Sequence, residues 1–171
     1  MKYGAIFLLA LGMFIGCDKD DSPAESTGAK VSDTDMYGRA NTTAGFVYYK
    51  NSTDTLQRSS GSGHTAQPKL RTRYNAKAAA MLDAQGKVKA GAVFSDSSLI
   101  VKELFNAGNQ IEVLAYMFKL SGADNADANG WVWGEVSPGG NVLYTVTNKG
   151  AGCNGCHSTG IDYTRMNDSH P

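Results

Sequence analysis

The sequence predicts an α+β domain, mainly an antiparallel β-sheet with a few short helices. Two observations predict it. Between residues 99 and 147, four segments rich in Val, Ile and aromatic residues are separated by turns rich in Asn, Asp, Gly and Pro. One segment, after Asn75, has the alanine-rich composition of a helix. Because strands joined by short turns pair antiparallel, the sheet is expected to be antiparallel.

Each element has its own local signals. The predicted strands cover residues 70–75, 99–105, 111–120, 131–136 and 142–147. The predicted helix begins after Asn75, a favoured N-cap residue, and ends at Gln85 and Gly86. Residues 50–69 are rich in Ser, Thr and Gly and are expected to form loop or weak strand.

The N-terminus has the features of an export signal. Lys2 precedes residues 4–15, which carry no charge and are shorter than the roughly 20 residues that a membrane-spanning helix needs. The sequence F-I-G-C over 14–17 resembles a bacterial lipobox, although Phe14 stands where Leu is usual. We therefore expect Cys17 to be lipidated and to become the first mature residue. The alternative is an ordinary signal peptide that contains a cysteine.

The zero net charge of the chain is an average of two unlike parts. Residues 18–35 contain six acids, two bases and no aromatic residue, which is typical of a flexible tether. Residues 36–171 contain 13 bases and 10 acids, a charge too small to favour nucleic-acid binding. The predicted organisation is a signal peptide over 1–16, a lipidated cysteine and tether over 17–40, and one domain over 41–171.

Lipidation at Cys17 predicts where the protein is held. The exported chain would be anchored to a bacterial membrane through its lipid. The run Lys19, Asp20 and Asp21 resembles a surface-export signal of some bacterial lipoproteins, and the alternative is a plain solvated tether. The expected location is therefore the periplasmic side of the membrane or the cell surface.

The C-terminal part contains C-x-x-C-H over residues 153–157, the attachment signal for a c-type haem. Two intervening residues let one helical turn present both thiols to the same porphyrin edge, where they form thioethers with the vinyl groups. His157 then lies under the iron as its axial ligand. We therefore predict a C-terminal haem-attachment helix that holds one covalent haem c through Cys153, Cys156 and His157.

Three other uses of the two cysteines are less consistent with the sequence. A zinc site needs two further ligands at matched spacing, and His64 and His170 do not form such a pair. A thioredoxin-like redox pair belongs in a βαβ setting, which this region lacks. A disulfide would leave the adjacent His157 unexplained. Export also favours haem, because c-type attachment takes place outside the bacterial cytoplasm.

The other axial position of the iron is predicted to be open or weakly ligated. Only 14 residues follow His157, and Met166 comes too soon after it to reach the opposite face easily. An upstream residue such as Met117 is the alternative ligand, and it would make the protein an electron carrier. Arg71 and Arg73 share a strand face and are expected to be solvated or to pair with haem propionates.

An ordered set of motifs over residues 74–163 resembles the cytochrome P-460 family, which includes the beta-type cytochromes c-prime. The segments that carry the resemblance are YNAKA at 74–78, LIVKEL at 99–104, YMFK at 116–119, GWVW at 130–133, CNGCH at 153–157 and DY at 162–163. Only C-x-x-C-H is specific by itself, and the order of the whole set carries the rest.

The resemblance implies a sheet around one haem face, a homodimer in many members, and a five-coordinate iron that binds or acts on hydroxylamine or NO. In hydroxylamine-oxidising members a strand lysine is cross-linked to the porphyrin, and Lys102 matches that position; gas-binding members lack the cross-link. Oxidising members also have a carboxylate close before the attachment motif. Residues 145–152 contain no acid here, so Glu135 is the candidate proton relay, with a solvent-facing strand residue as the alternative.

The resulting hypothesis is a membrane-anchored monohaem cytochrome acting on or binding small nitrogen species. Its enzymatic form would be a haem oxidoreductase that oxidises hydroxylamine or NO. The alternative is a non-catalytic electron-transfer or gas-binding cytochrome. Redox turnover or electron transfer also implies a redox partner protein.

Overall fold

The structure, a computed structural model, describes residues 28–58, 63–64 and 66–165. Cys17, Met166 and His170 lie outside the described residues, as do the predicted signal peptide and residues 17–27 of the tether. No helix in the described part of the chain is long and apolar enough to cross a membrane.

The described residues form one antiparallel sheet with short helices, which confirms the predicted fold class. The strands are β1 Val47–Tyr48, β2 Leu56–Gln57, β3 Lys69–Tyr74, β4 Leu99–Phe105, β5 Ile111–Lys119, β6 Trp131–Val136 and β7 Val142–Tyr144. The helices are α1 Asp33–Asn41, α2 Ala76–Ala79 and α3 Asn154–His157, with 3-10 turns at Tyr49–Asn51 and Val146–Asn148. The sheet order is β1-β3-β4-β5-β6-β7, and β2 also pairs with β3.

Each face of the sheet buries its own core, because side chains alternate along every strand. On the face that we call the cavity face, the buried residues are Leu70, Tyr74, Ile100, Leu104, Val113, Met117, Trp131 and Trp133. On the face that we call the α1 face, they are Leu99, Val101, Leu114, Tyr116, Phe118, Val132 and Val136. Helix α1 packs against this second face through Met36 and Ala40.

The folded part begins earlier than the tether boundary at residue 40 predicts. Ser32 caps α1 by accepting a hydrogen bond from the backbone N–H of Asp35 at 3.0 Å. Met36 and Ala40, four residues apart on one helix face, are fully buried. Asp33 accepts hydrogen bonds from the backbone N–H of Val146 and the hydroxyl of Thr145. The acidic composition predicted a tether here, because only two apolar side chains of the helix, Met36 and Ala40, are buried. Side-chain hydrogen bonds hold the rest of it in place.

Helix α2 begins where predicted and ends sooner. The side chain of Asn75 accepts a hydrogen bond from the N–H of Ala78 at 2.9 Å, which confirms the N-cap. The helix ends at Ala79. Asp83 then accepts hydrogen bonds from the N–H groups of Gln85 and Lys87 and turns the chain, so the alanine-rich composition predicted a helix that is too long.

Arg71 and Arg73 both point away from the cavity; Arg71 is partly exposed and Arg73 is buried. Both donate to the carboxylate of Glu103, at 2.6 and 2.8 Å, on the α1 face. Arg73 and Glu103 are each 1% exposed. Arg73 also donates to the carbonyl oxygens of Ala40 and Thr42 at the end of α1. This buried ion pair therefore ties α1 to strands β3 and β4.

Replacing Glu103 by Gln should lower the free energy of unfolding by about 3 kcal/mol, the low end for breaking a buried pair, since Gln keeps one acceptor. Urea unfolding measures it. Glu112→Gln, at an exposed position of β5, should change the free energy by less than about 0.5 kcal/mol. Equal effects of the two substitutions would contradict a special role for the buried pair.

Candidate functional site

One row of residues crosses the cavity face from β3 to β7. In register, it consists of Thr72, Lys102, Ala115, Glu135 and Tyr144. Neighbouring strands lie about 4.8 Å apart, so Lys102 and Glu135 stand about 10 Å apart at the backbone. Only the methyl group of Ala115 lies between them in the row. The sheet therefore turns an amine and a carboxylate toward the same space.

A cavity of about 530 Å³ adjoins this row. Lys102, Glu135, Cys153, Cys156 and His157 all line it. The structure thus brings together Lys102, Glu135 and the three predicted residues of the C-x-x-C-H segment, whereas Arg71 and Arg73 lie on the other face. A volume of several hundred Å³ is typical of a site for a cofactor or small ligand.

The C-x-x-C-H segment forms the short helix α3 next to this cavity. Cys153 is its N-cap residue, and its carbonyl oxygen accepts hydrogen bonds from the N–H groups of Cys156 and His157 at 3.1 and 3.0 Å. Both cysteines are free thiols; Cys153 is half-buried and Cys156 is exposed. One helical turn therefore places two unpaired thiols and an imidazole at the wall of the same cavity.

Gly150 lets α3 approach the sheet closely. It has a φ of +71°, and a Cβ atom there would lie 2.6 Å from the indole of Trp133. Trp133 in turn packs edge-on against the ring of His157, with ring centroids 4.9 Å apart and an interplanar angle of 75°. The glycine therefore permits the contact through which β6 supports the histidine.

His157 is held as a neutral ring with one nitrogen free. Its Nδ1 lies 2.8 Å from the carbonyl oxygen of Tyr163. Because a carbonyl oxygen only accepts, Nδ1 carries the proton and Nε2 keeps its lone pair. Burial, and then the nearby Lys102, lower the pKa of His157 to about 4. A neutral imidazole whose other nitrogen donates to a carbonyl is the usual arrangement of a metal-binding histidine.

Lys102 has an unusually acidic ammonium group for a lysine. Burial, and then the nearby Arg165, lower its pKa to about 8, while the carboxylate of Glu135 acts in the opposite direction. At pH 8, therefore, a large fraction of its amine is neutral. A neutral amine can act as a nucleophile or as a hydrogen-bond acceptor, which the ammonium form cannot do.

Glu135 faces the cavity, where it contacts His64. Its Oε1 lies 3.2 Å from Nδ1 of His64, and the two side chains are 28% and 25% exposed. Glu135 is therefore a partly buried residue of the cavity wall, and its role as a proton relay stays a prediction. Sequence reasoning placed His64 in a loop and gave it no role. Only the fold brings these two residues together, and no local sequence signal could have found the pair.

An apolar pocket of about 50 Å³ opens beside the same polar residues. Ile100, Met117 and Trp133 contribute its apolar wall. The predicted alternative iron ligand, Met117, thus also lies at the site. Arg165 and Tyr144, which the sequence did not single out, line both this pocket and the larger cavity.

These residues fit a covalent haem. Two free thiols and a neutral imidazole with its Nε2 free line one wall of a cavity whose remaining lining is partly apolar and partly cationic. Among the described residues, no three His, Cys, Asp or Glu side chains are grouped so that they could hold a metal ion by themselves. No protein-family model and no curated protein matches the sequence, so its resemblance to the cytochrome P-460 family stays a prediction.

Gly150→Ala should destabilise the fold by at least about 1–2 kcal/mol, because it forces a Cβ into the left-handed region and against Trp133. Gly155→Ala in α3 is the matched control, since a Cβ there meets nothing within 4 Å. The control should be neutral or slightly stabilising. Thermal unfolding measures both, and similar melting temperatures for the two variants would contradict the packing described.

Proposed function

We propose that this protein is a monohaem c-type cytochrome in which Cys153 and Cys156 bind one haem covalently and His157 binds its iron. The observation that carries the proposal is the state of His157. Its Nδ1 proton is donated to Tyr163 and its Nε2 lone pair is free beside two unpaired thiols. The haem would supply redox and ligand-binding chemistry, while the protein orients and tunes it.

The ligand that suits the rest of the cavity is a small nitrogen species, hydroxylamine or NO. The apolar wall of Ile100, Met117 and Trp133 suits a small neutral molecule such as NO. Lys102 and Glu135 add a donor and an acceptor of protons on one side of the same space. Oxidation of hydroxylamine releases protons and electrons; Glu135 would accept the protons, and the redox partner protein would accept the electrons through the haem.

Lys102 is proposed to lie at the haem edge, where a cross-link is a further step. Joining its amine to a porphyrin carbon would replace one N–H and one C–H bond by an N–C bond. That change releases two protons and two electrons, so it requires a two-electron oxidant such as a peroxide. The lowered pKa of Lys102 supports the step, since only the neutral amine can form the bond. The intact mass of the haem-loaded chain, lower by two hydrogens than that of the chain with unmodified haem, identifies the cross-link.

A second candidate function is electron transfer without turnover. It is favoured by the presence of Met117 and His64 in the lining of the site, because either side chain could supply a strong sixth ligand. In that case the protein would pass electrons to a redox partner protein and would not bind small ligands. Gas binding without catalysis is the third possible function, and it needs the same open coordination position on the iron as hydroxylamine or NO oxidation does.

The proposal includes export and lipidation at Cys17, which rest on the sequence alone. The lipid would anchor the protein to the membrane, facing the periplasm or the cell surface. A homodimer belongs to the proposal only through the family resemblance.

The covalent attachment is tested by producing the full chain with export and a working c-type maturation system. Haem staining of a denaturing gel and intact mass should show one haem per chain. The double substitution Cys153→Ser and Cys156→Ser should abolish attachment, whereas Cys17→Ser should lose the lipid and keep the haem. Wild-type protein that matures without haem would overturn the proposal.

Glu135→Gln should reduce hydroxylamine oxidation by about 10²–10⁴-fold, the usual contribution of a general base, because Gln cannot accept the proton. NO affinity should change only a few-fold, since binding NO transfers no proton. Stopped-flow kinetics and NO titration measure the two effects. Glu112→Gln controls for loss of a carboxylate elsewhere, and unchanged turnover in Glu135→Gln would exclude Glu135 as the base.

A further inference from the structure

A strained turn carries the carbonyl group that holds His157. Ile161 and Thr164 form an isolated antiparallel bridge, and the two residues between them, Asp162 and Tyr163, have φ of 44° and 65°. A residue with a Cβ in the left-handed region costs about 1–2 kcal/mol. Two such residues in succession persist only where surrounding contacts hold them.

Asp162 makes those contacts. Its carboxylate accepts hydrogen bonds from the ammonium of Lys119 at 3.0 and 3.2 Å and from the backbone N–H of Phe94 at 2.8 Å. Its carbonyl oxygen accepts the indole N–H of Trp131 at 3.1 Å. The side chains of Lys119 and Asp162 are only 8% and 12% exposed. The ion pair is therefore shielded from solvent. Together, Lys119, Phe94 and Trp131 hold the turn from three directions.

Lys119 is itself fixed to the sheet. It ends β5 and stands opposite Trp131, the first residue of β6. Its ammonium donates to the carbonyl oxygen of Asn129 at 2.9 Å and lies 4.7 Å from the centre of the Trp131 ring. The anchor of the turn thus belongs to two paired strands of the sheet.

The turn connects this anchor to the histidine. Tyr163 follows Asp162 directly, and its carbonyl oxygen lies 2.8 Å from Nδ1 of His157. The strength of that hydrogen bond sets how much electron density the ring donates through Nε2, and so the basicity of a metal ligand. We propose that the Lys119–Asp162 ion pair is a positioning device for the iron ligand, which tunes the haem by holding the Tyr163 carbonyl against His157. The proposal rests on the haem function argued above.

The test compares variants of the full, haem-loaded protein. Asp162→Ala and Lys119→Met remove the ion pair, and Asp162→Asn keeps the size and the tolerance for a left-handed φ. Lys119→Arg is the conservative control that keeps the charge. Glu103→Gln breaks a buried ion pair on the α1 face and controls for lost stability alone. The readouts are the midpoint reduction potential and the iron–histidine stretching frequency of the ferrous protein by resonance Raman.

A weaker hydrogen bond makes His157 a poorer donor, so Asp162→Ala and Lys119→Met should raise the potential and lower the stretching frequency. Lys119→Arg should keep the potential and the stretching frequency near the wild-type values. Glu103→Gln should leave them unchanged as well, although it lowers the stability. If Asp162→Ala does not fold, Lys119→Met and Asp162→Asn carry the test.

Two failures are distinguishable. Haem-loaded Lys119→Met or Asp162→Ala with unchanged potential and frequency would overturn the positioning role and leave the cytochrome proposal standing. Two results would overturn both proposals. One is wild-type protein that carries no haem, and the other is a His157→Ala variant whose haem iron keeps the axial ligation of the wild type.

Discussion

The registers of β4 against β5 and of β5 against β6 determine which residues face the cavity, because side chains alternate between the two faces of a sheet. A slip of one residue would send Lys102 and Glu135 to the α1 face and bring Val101 and Gly134 into the cavity. The buried pair of Arg73 in β3 and Glu103 in β4 opposes a slip of β4 against β3, since such a slip would separate the paired charges. An ion pair on the α1 face thus helps to keep Lys102 turned toward the cavity.

The cavity has two walls of different origin, and aromatic contacts join them. The sheet supplies Lys102 and Glu135, and the C-terminal segment supplies the thiols and His157. Trp133 bridges the walls by its contact with His157, while its indole N–H donates to Asp127 at 2.8 Å. Trp131 does the same for the turn at Asp162. The two tryptophans of β6 thus hold the C-terminal segment against the sheet.

Sequence reasoning succeeded where the determining signals are local. Strands β4 and β6 match their predicted bounds, because runs of β-branched and aromatic residues are closed by strong turns. The N-cap at Asn75 and the helical turn at 153–157 are local as well. Helix α1 was not predicted, because its composition is acidic and only two of its residues, Met36 and Ala40, are buried against the sheet.

Other features depend on residues distant in the sequence, and no local pattern contains them. The contact of His64 with Glu135 needs a loop to return to the sheet. The direction of Glu135 depends on strand register, which composition does not encode. The Tyr163 carbonyl is a backbone group, so residue types alone gave no sign of its role toward His157.

The most direct test is the absorption and electron paramagnetic resonance spectrum of the purified full-length protein, oxidised and reduced, with and without NO. The account predicts a high-spin, five-coordinate haem c that changes to an NO complex when the gas is added. A six-coordinate low-spin spectrum that does not respond to NO would contradict it.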